Sequence, residues 1–260
     1  MSEAPSVSLT AWGVCIAGIL SFQFLIAAKK ERGAPADGVV CRGTLQLQRK
    51  LQHLGTGVMM YVALRVFGPW QCALVLFFFA LLLLGVHKLR ASNQALDAVF
   101  LQCFRTILRP YEVSRTALPG AYYFLLGAGF SLVLFPLRVA RLAILTLSVG
   151  DPAAAFFGTL YGRHKVTTVL GPLGGNKSME GFIGCFGVAT AAAFTSLMME
   201  QDYYFRTDSG DRTVLVAMLS LVVGASAAAA EVLDIGGWDD NLTLPLVAAV
   251  FMQCTIGHLL

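Results

Sequence analysis

The 260-residue chain reads as an all-α, polytopic integral membrane protein of about eight transmembrane helices. Three observations lead there. Apolar residues make up 57% of the chain and charged residues only 13%, against roughly 45–50% and 25% in soluble domains. The mean hydropathy of +0.70 requires much of the surface to face lipid. Finally, the apolar residues gather into runs close to the ~20 residues that span a bilayer core.

In chain order these runs are 9–28, 54–68, 70–87, 119–136, 139–158, 181–199, 213–233 and 242–260. The segments between them are too short for a soluble domain, so residues 1–260 form a single polytopic domain. The first run is not a cleavable leader. Met1–Thr10 holds Glu3 and no basic residue, whereas Lys29, Lys30 and Arg32 follow the run and set its N-terminus outside. The second run is short and contains Arg65, so residues 54–87 form either two full spans or a hairpin turning at Gly68-Pro69. In the fifth run, Gly150-Asp151-Pro152 reads as a break, with Asp151 as N-cap and Pro152 opening a new helix at membrane depth. The seventh run holds the small residues Ala225 to Ala230, which suit close helix packing.

With the N-terminus outside, every second connection faces the cytosol and should be basic. Those connections carry Lys29, Lys30, Arg32, Arg42, Arg49, Lys50, Lys88, Arg90, Arg105, Arg109, Arg115, Arg163, Lys165 and Lys177, most of the 19 basic residues. Arg65, Arg138, Arg141, Arg206 and Arg212 remain near the outer face. The net charge of +4 is modest and points to a bilayer partner, not to nucleic acid. The six cysteines and four histidines are scattered without metal-ligand spacing and read as free thiols and interfacial imidazoles.

Ionisable residues at membrane depth are costly, so they mark functional sites. Three constellations qualify. In the first, Asp151 shares a helix face with Ala155, Gly158 and Gly162 and leads to Arg163; the same small residues also suit a plain helix contact. The second is the glycine-rich stretch from Gly171 to Gly181, with Asn176, Lys177, Ser178 and Glu180. A lysine and a hydroxyl before a helix N-terminus suit a phosphate, although Asn176 stands where a P-loop needs glycine. An ordinary polar loop capped by Ser178 is the alternative. The third runs from Glu231 and Asp234 to Asp239-Asp240-Asn241, hard oxygen donors of the kind Mg²⁺ takes, or simply solvated turn residues. On one membrane face, the three make up the parts needed for phosphoryl or nucleotidyl transfer.

In combination these motifs resemble a known family. Ser148-x-Gly150-Asp151-x-Ala153-Ala154 with Gly158 and Gly162, then Asn176-Lys177-Ser178-x-Glu180-Gly181, then Glu231 and Asp239-Asp240-Asn241-Leu242-Thr243-x-Pro245 look like the CTP-dependent lipid kinases. That group holds yeast-type diacylglycerol kinase, phytol and farnesol kinases and, more distantly, dolichol kinase. The resemblance extends to Arg49-Lys50-x-x-His53, Arg109-x-x-Glu112 and Gly120-Ala121-Tyr122-Tyr123, with the motif-bearing catalytic half at about 139–250.

The resemblance implies an enzyme that moves the γ-phosphate of CTP onto a lipid alcohol with Mg²⁺. The Asp-Asp-Asn form is closer to the diacylglycerol and phytol branches than to dolichol kinase, and Arg109 and Glu112, followed by Gly120 to Gly127, favour diacylglycerol. Asp151, Lys177 and Asp240 would carry catalysis, with Asp151 and Asp240, joined by Asp239 or Asn241, holding Mg²⁺. Gly158, Gly162, Arg163, Asn176, Ser178 and Glu180 would serve the nucleotide, and Arg49, Lys50 and His53 a phosphate or the lipid headgroup at the bilayer edge. The base for the lipid hydroxyl is a carboxylate or His53. The family further implies the endoplasmic reticulum, with the site facing the cytosol. Met179-Glu180-Gly181 after Lys177-Ser178 also suits a phosphatidate cytidylyltransferase, and a third reading has Asp151, Glu231 and Asp234 lining the ion path of a transporter.

Overall fold

The structure is a computed structural model and describes residues 9–28, 47–167, 177–200, 209–233 and 235–260. Among these residues the regular elements are helical, apart from one isolated bridge between Lys165 and Ser178. The helices are α1 (Leu9–Ala28), α2 (Leu47–Ala63), α3 (Pro69–Ser92), α4 (Gln94–Phe104), α5 (Pro110–Val113), α6 (Gly120–Leu134), α7 (Leu137–Tyr161), α8 (Met179–Met199), α9 (Ser209–Val232) and α10 (Asp240–Ile256), with a 3₁₀ turn at Arg105–Ile107. Each of the eight apolar runs coincides with one of the longer helices.

Residues 54–87 belong to two separate helices, α2 and α3, and Pro69 opens α3 where its missing N–H leaves no bond unmade. The second element sits further upstream than the apolar run. It begins at Leu47 and ends at Ala63, leaving Arg65 in the turn. From that turn the Arg65 guanidinium reaches Glu200 at 3.3 Å.

Helix α7 is the central strut, packed against α2, α6, α8, α9 and α10. The expected break at Asp151-Pro152 does not occur: α7 runs unbroken from Leu137 to Tyr161 with Pro152 inside it, and Asp151 is not an N-cap. Proline removes one backbone bond and crowds the preceding turn, but neighbouring helices hold α7 on most sides, and packed surroundings tolerate such a residue at membrane depth. Small residues bring the neighbours close. Ala154, Cys185, Ala189, Ala227 and Ala228 form one buried cluster between α7, α8 and α9, the arrangement expected where dispersion packing drives association in lipid.

Among the described residues five helices, α1, α3, α7, α8 and α9, are long and apolar enough to cross a membrane. The other three long elements, α2, α6 and α10, have 17, 15 and 17 residues. At ~1.5 Å per residue such helices reach only about 23–26 Å, less than the ~30 Å hydrocarbon core. All three begin at the same end of the bundle.

The connection 88–118 is more ordered than a loop. Asn93 caps α4 by accepting from the Leu96 N–H at 3.1 Å. Arg90 is fully buried, 2.8 Å from Asp97, with its guanidinium over the Phe100 ring at 3.9 Å. It packs the corner between α3 and α4 as well as adding charge. At the opposite end of the bundle, Arg65, Arg138 and Arg141 converge on Glu200 at 3.3, 3.8 and 3.7 Å. These three departures from the basic-inside pattern therefore have a structural partner.

Candidate active site

The C-terminal half of α7, the starts of α2, α8 and α10 and the end of α9 enclose a cleft of about 300 Å³. From α2, the adjacent Arg49 and Lys50 both reach the cleft wall. Lys50 Nζ donates to both carboxylate oxygens of Asp151 at 2.8 Å. One turn on, His53 lies behind this pair, its Nε2 3.1 Å from the Leu147 carbonyl and 3.8 Å from Asp151.

The opposite wall begins at Lys177. The next residue, Ser178, caps α8 by accepting from the Gly181 N–H at 3.1 Å, so its hydroxyl is committed to the helix end. Two backbone bonds, Val166 N–H to Lys177 carbonyl at 3.0 Å and Met179 N–H to His164 carbonyl at 2.8 Å, tie the strand-like entrance of α8 to the exit of α7. The fit is close: a Cβ on Gly158 would stand 3.0 Å from the Ser178 hydroxyl, and one on Gly162 would collide with the Gly158 carbonyl as well. Lys177 Nζ then donates to Glu231 Oε1 and Asp240 Oδ2, both at 2.8 Å. Burial works against its ammonium, but these two carboxylates outweigh burial and hold its pKa above the ordinary lysine range.

The acidic turn reaches α10 through Gly236 and Gly237, whose φ of +62° and +74° lie in the left-handed region that glycine enters freely. Asp239 caps α10 through Oδ1, 3.0 Å from the Asn241 N–H, and accepts from Arg109 Nη1 through Oδ2 at 2.6 Å. Glu112, buried, accepts from the Arg109 and Gly120 N–H groups at 2.9 Å each. The Asn241 amide donates to the Gly120 carbonyl at 3.2 Å. The segment 109–120 thus clamps the start of α10 and sets Asp240 on the cleft.

The sequence-derived residues divide accordingly. Asp151, Lys177, Asp240, Gly158, Ser178, Arg49 and Lys50 line the cleft, and Gly162 supports Ser178. Arg163 is exposed and not part of the wall. Glu180 pairs with His164 at 2.7 Å instead of facing the cleft. Asn176 and Asp234 lie outside the described residues. Of the proposed metal set, Asp151 and Asp240 share the cleft, whereas Asp239 and Asn241 are turned to Arg109 and Gly120. Of the charged wall residues, Arg109 and Lys165 have no site role in the sequence reading, and Glu231 figures there only in the acidic constellation. Glu231 stood in the acidic motif, but nothing local revealed that it meets Lys177 across 54 positions.

Five cations, Arg49, Lys50, Arg109, Lys165 and Lys177, face three carboxylates, Asp151, Glu231 and Asp240, which suits a polyanion better than a bare cation. Among the described residues no group of three His, Cys, Asp or Glu side chains could hold a metal ion alone. A hydrated Mg²⁺ that also binds phosphate needs only one or two carboxylates. Asp240, with a 38% exposed side chain, and Asp151 on the same cleft fit that requirement.

Residues 9–233 match the cytidylyltransferase family. The chain belongs to that family. Among curated proteins it resembles CTP-dependent diacylglycerol kinase 1 of Eremothecium gossypii, 29% identical over 224 residues, covering 82% of this chain and 68% of the relative. The Saccharomyces cerevisiae protein of the same name is 26% identical over 221 residues, 81% of this chain and 73% of the relative. That of Schizosaccharomyces pombe is 27% identical over 161 residues, 59% of this chain and 68% of the relative. No solved structure matches.

Proposed function

We propose that this member of the cytidylyltransferase family is a CTP-dependent lipid kinase that transfers the γ-phosphate of CTP to diacylglycerol, giving phosphatidate and CDP. The observation that carries this reading is the cleft itself, where Lys50–Asp151 and Glu231–Lys177–Asp240 stand together with an excess of cations at one end of a membrane bundle. The names of the three relatives fix the donor and acceptor to look for.

Phosphoryl transfer rests on positioning and on charge stabilisation around the moving phosphate. Lys177 is placed to neutralise phosphate oxygens, and Arg49 and Lys50 extend the positive wall on the α2 side. Asp240 and Asp151 would hold Mg²⁺, which would supply positive charge to offset that of the phosphates. The cleft lies at one end of the apolar bundle, where the single hydroxyl of a lipid alcohol at the bilayer edge could reach it. The site belongs on the cytosolic face, in keeping with the basic connections and with the supply of CTP, and the membrane in question is that of the endoplasmic reticulum.

The family's name favours one competing reaction, attack of phosphatidate on the α-phosphate of CTP with release of pyrophosphate. Product analysis separates the two. Purified protein in mixed micelles with CTP, Mg²⁺ and either diacylglycerol or phosphatidate should yield phosphatidate and CDP from the first acceptor. Formation of CDP-diacylglycerol and pyrophosphate from the second, with the first inert, would reassign the enzyme.

A further inference from the structure

Transfer to a lipid alcohol needs a group that takes the hydroxyl proton, and the residue types alone leave the carboxylates and His53 in contention. The geometry separates them. His53 is not on the cleft wall and turns Nε2 to the Leu147 carbonyl. Asp151 has both oxygens on Lys50. Asp240 is the most exposed of the three cleft carboxylates and is placed for a hydrated ion.

Glu231 differs from all of these. Its side chain is only 6% exposed, and Oε1 is held by Lys177 at 2.8 Å. Its other oxygen, Oε2, is buried and meets no hydrogen-bond donor among the described residues. A buried carboxylate oxygen without a donor is an unfavourable arrangement that a native site rarely keeps without cause. Glu231 itself lines the cleft, so a small turn of its side chain would bring Oε2 to an O–H entering there, which would satisfy it. The surroundings suit a lipid hydroxyl: Glu231 follows the buried Ala227, Ala228 and Ala230 near the end of α9, and Val232, Phe182 and Ala154 form the adjoining wall.

Resting on the lipid-kinase reading, we infer that Glu231 is the base of the reaction. Oε2 accepts the hydrogen bond of the lipid alcohol and takes its proton as the alcohol oxygen bonds to the γ-phosphorus. The bond from the γ-phosphorus to the bridging oxygen breaks, and CDP leaves with that electron pair. Lys177 fixes the carboxylate through Oε1 and links it to Asp240, so one side chain aligns the base with the phosphate-binding side of the cleft.

The test compares wild type, Glu231→Gln and Glu231→Asp, each purified as the full chain in micelles with diacylglycerol, CTP and Mg²⁺. Wild-type transfer of γ-phosphate to the lipid tests the kinase reading by itself; without it, reading and inference both fall. Given that activity, Glu231→Gln should lower kcat by about 100-fold or more, the range for loss of a general base. The half-saturating CTP and Mg²⁺ should stay within about threefold, since glutamine keeps an oxygen for Lys177 and Glu231 is assigned no contact with either ligand. Glu231→Asp should recover part of the rate. Turnover of Glu231→Gln within about threefold of wild type, or a loss accompanied by a rise of about tenfold in half-saturating CTP or Mg²⁺, would overturn the assignment. Failure of both variants to elute as monodisperse protein would assign Glu231 to the fold instead.

Discussion

Lys50 Nζ lies 2.8 Å from both carboxylate oxygens of Asp151, a partner 101 positions later in the chain. The two side chains are 15% and 14% exposed, so the pair is largely desolvated and joins the start of α2 to the middle of α7. Breaking a buried pair from one side leaves an uncompensated charge, whereas replacing both partners by apolar groups is often neutral. Lys50→Met or Asp151→Asn alone should therefore destabilise the protein by about 3–5 kcal/mol. The double variant Lys50→Met/Asp151→Leu should regain most of that stability while remaining inactive. Thermal unfolding in detergent, read beside CTP turnover, separates the two roles; additive losses of stability in the double variant would mean that the pair is not coupled.

Lys177 makes a sharper claim about chemistry. Its ammonium sits between Glu231 and Asp240 on the cleft wall, and the proposed reaction has it meet the transferring phosphate. Lys177→Ala should lower kcat by roughly 10²–10³, as loss of one electrostatic stabiliser does. Lys88→Ala, on α3 and away from the cleft wall, should leave turnover near wild type. The sign of the pKa shift adds a pH expectation. Burial opposes the charge but the two carboxylates raise the folded value, so the stability contributed by Lys177 is fully present below the ordinary lysine value of about 10.4 and is lost only as pH rises through the higher folded value. Stability that fell away between neutral pH and about 9, in wild type but not in Lys177→Ala, would contradict this placement.

Gly158 tests the close approach of α7 and α8. A Cβ there would stand 3.0 Å from the Ser178 hydroxyl, so Gly158→Val must displace the cap next to Lys177. Helix propensity alone would favour valine over glycine. The expected result is a fall in turnover of at least about tenfold, of the order seen when a reacting group is misplaced by an ångström, with the protein still folded. Wild-type turnover in a monodisperse Gly158→Val protein would show that the Ser178 contact does not position the site.

Chelation addresses the metal directly. Removing divalent cations should abolish turnover reversibly, with Mg²⁺ restoring it. Asp240→Asn should then demand about tenfold or more Mg²⁺ for half-maximal rate, because one of only one or two carboxylate anchors has lost its charge. An unchanged Mg²⁺ requirement would free Asp240 from that role.

Much of the fold was legible because lipid imposes long apolar runs, and each of the eight runs meets one helix. The boundary of α2 was not, since the partner of Arg65 in the turn after it, Glu200, lies 135 positions later. The Asp151-Pro152 break was misread for a related reason: local propensity favours a cap, but packing on most faces of α7 keeps the helix whole. The site shows the same division. The motifs named Asp151, Lys177 and Asp240 from residue type and order. The pairings that give these residues their environment, Lys50 with Asp151 and Lys177 with Glu231, span 101 and 54 positions and leave no periodic trace. Glu231 emerges only from the assembled cleft, where Lys177 holds one of its oxygens and leaves the other without a donor.

The most direct measurement is the fate of the label from CTP carrying it at either the α or the γ position, followed into the lipid phase with diacylglycerol as acceptor. Wild type should move only the γ label into lipid and release CDP, and Lys177→Ala should lose most of that transfer while remaining folded. Label reaching the lipid from the α position, with release of pyrophosphate, would contradict phosphoryl transfer at this cleft.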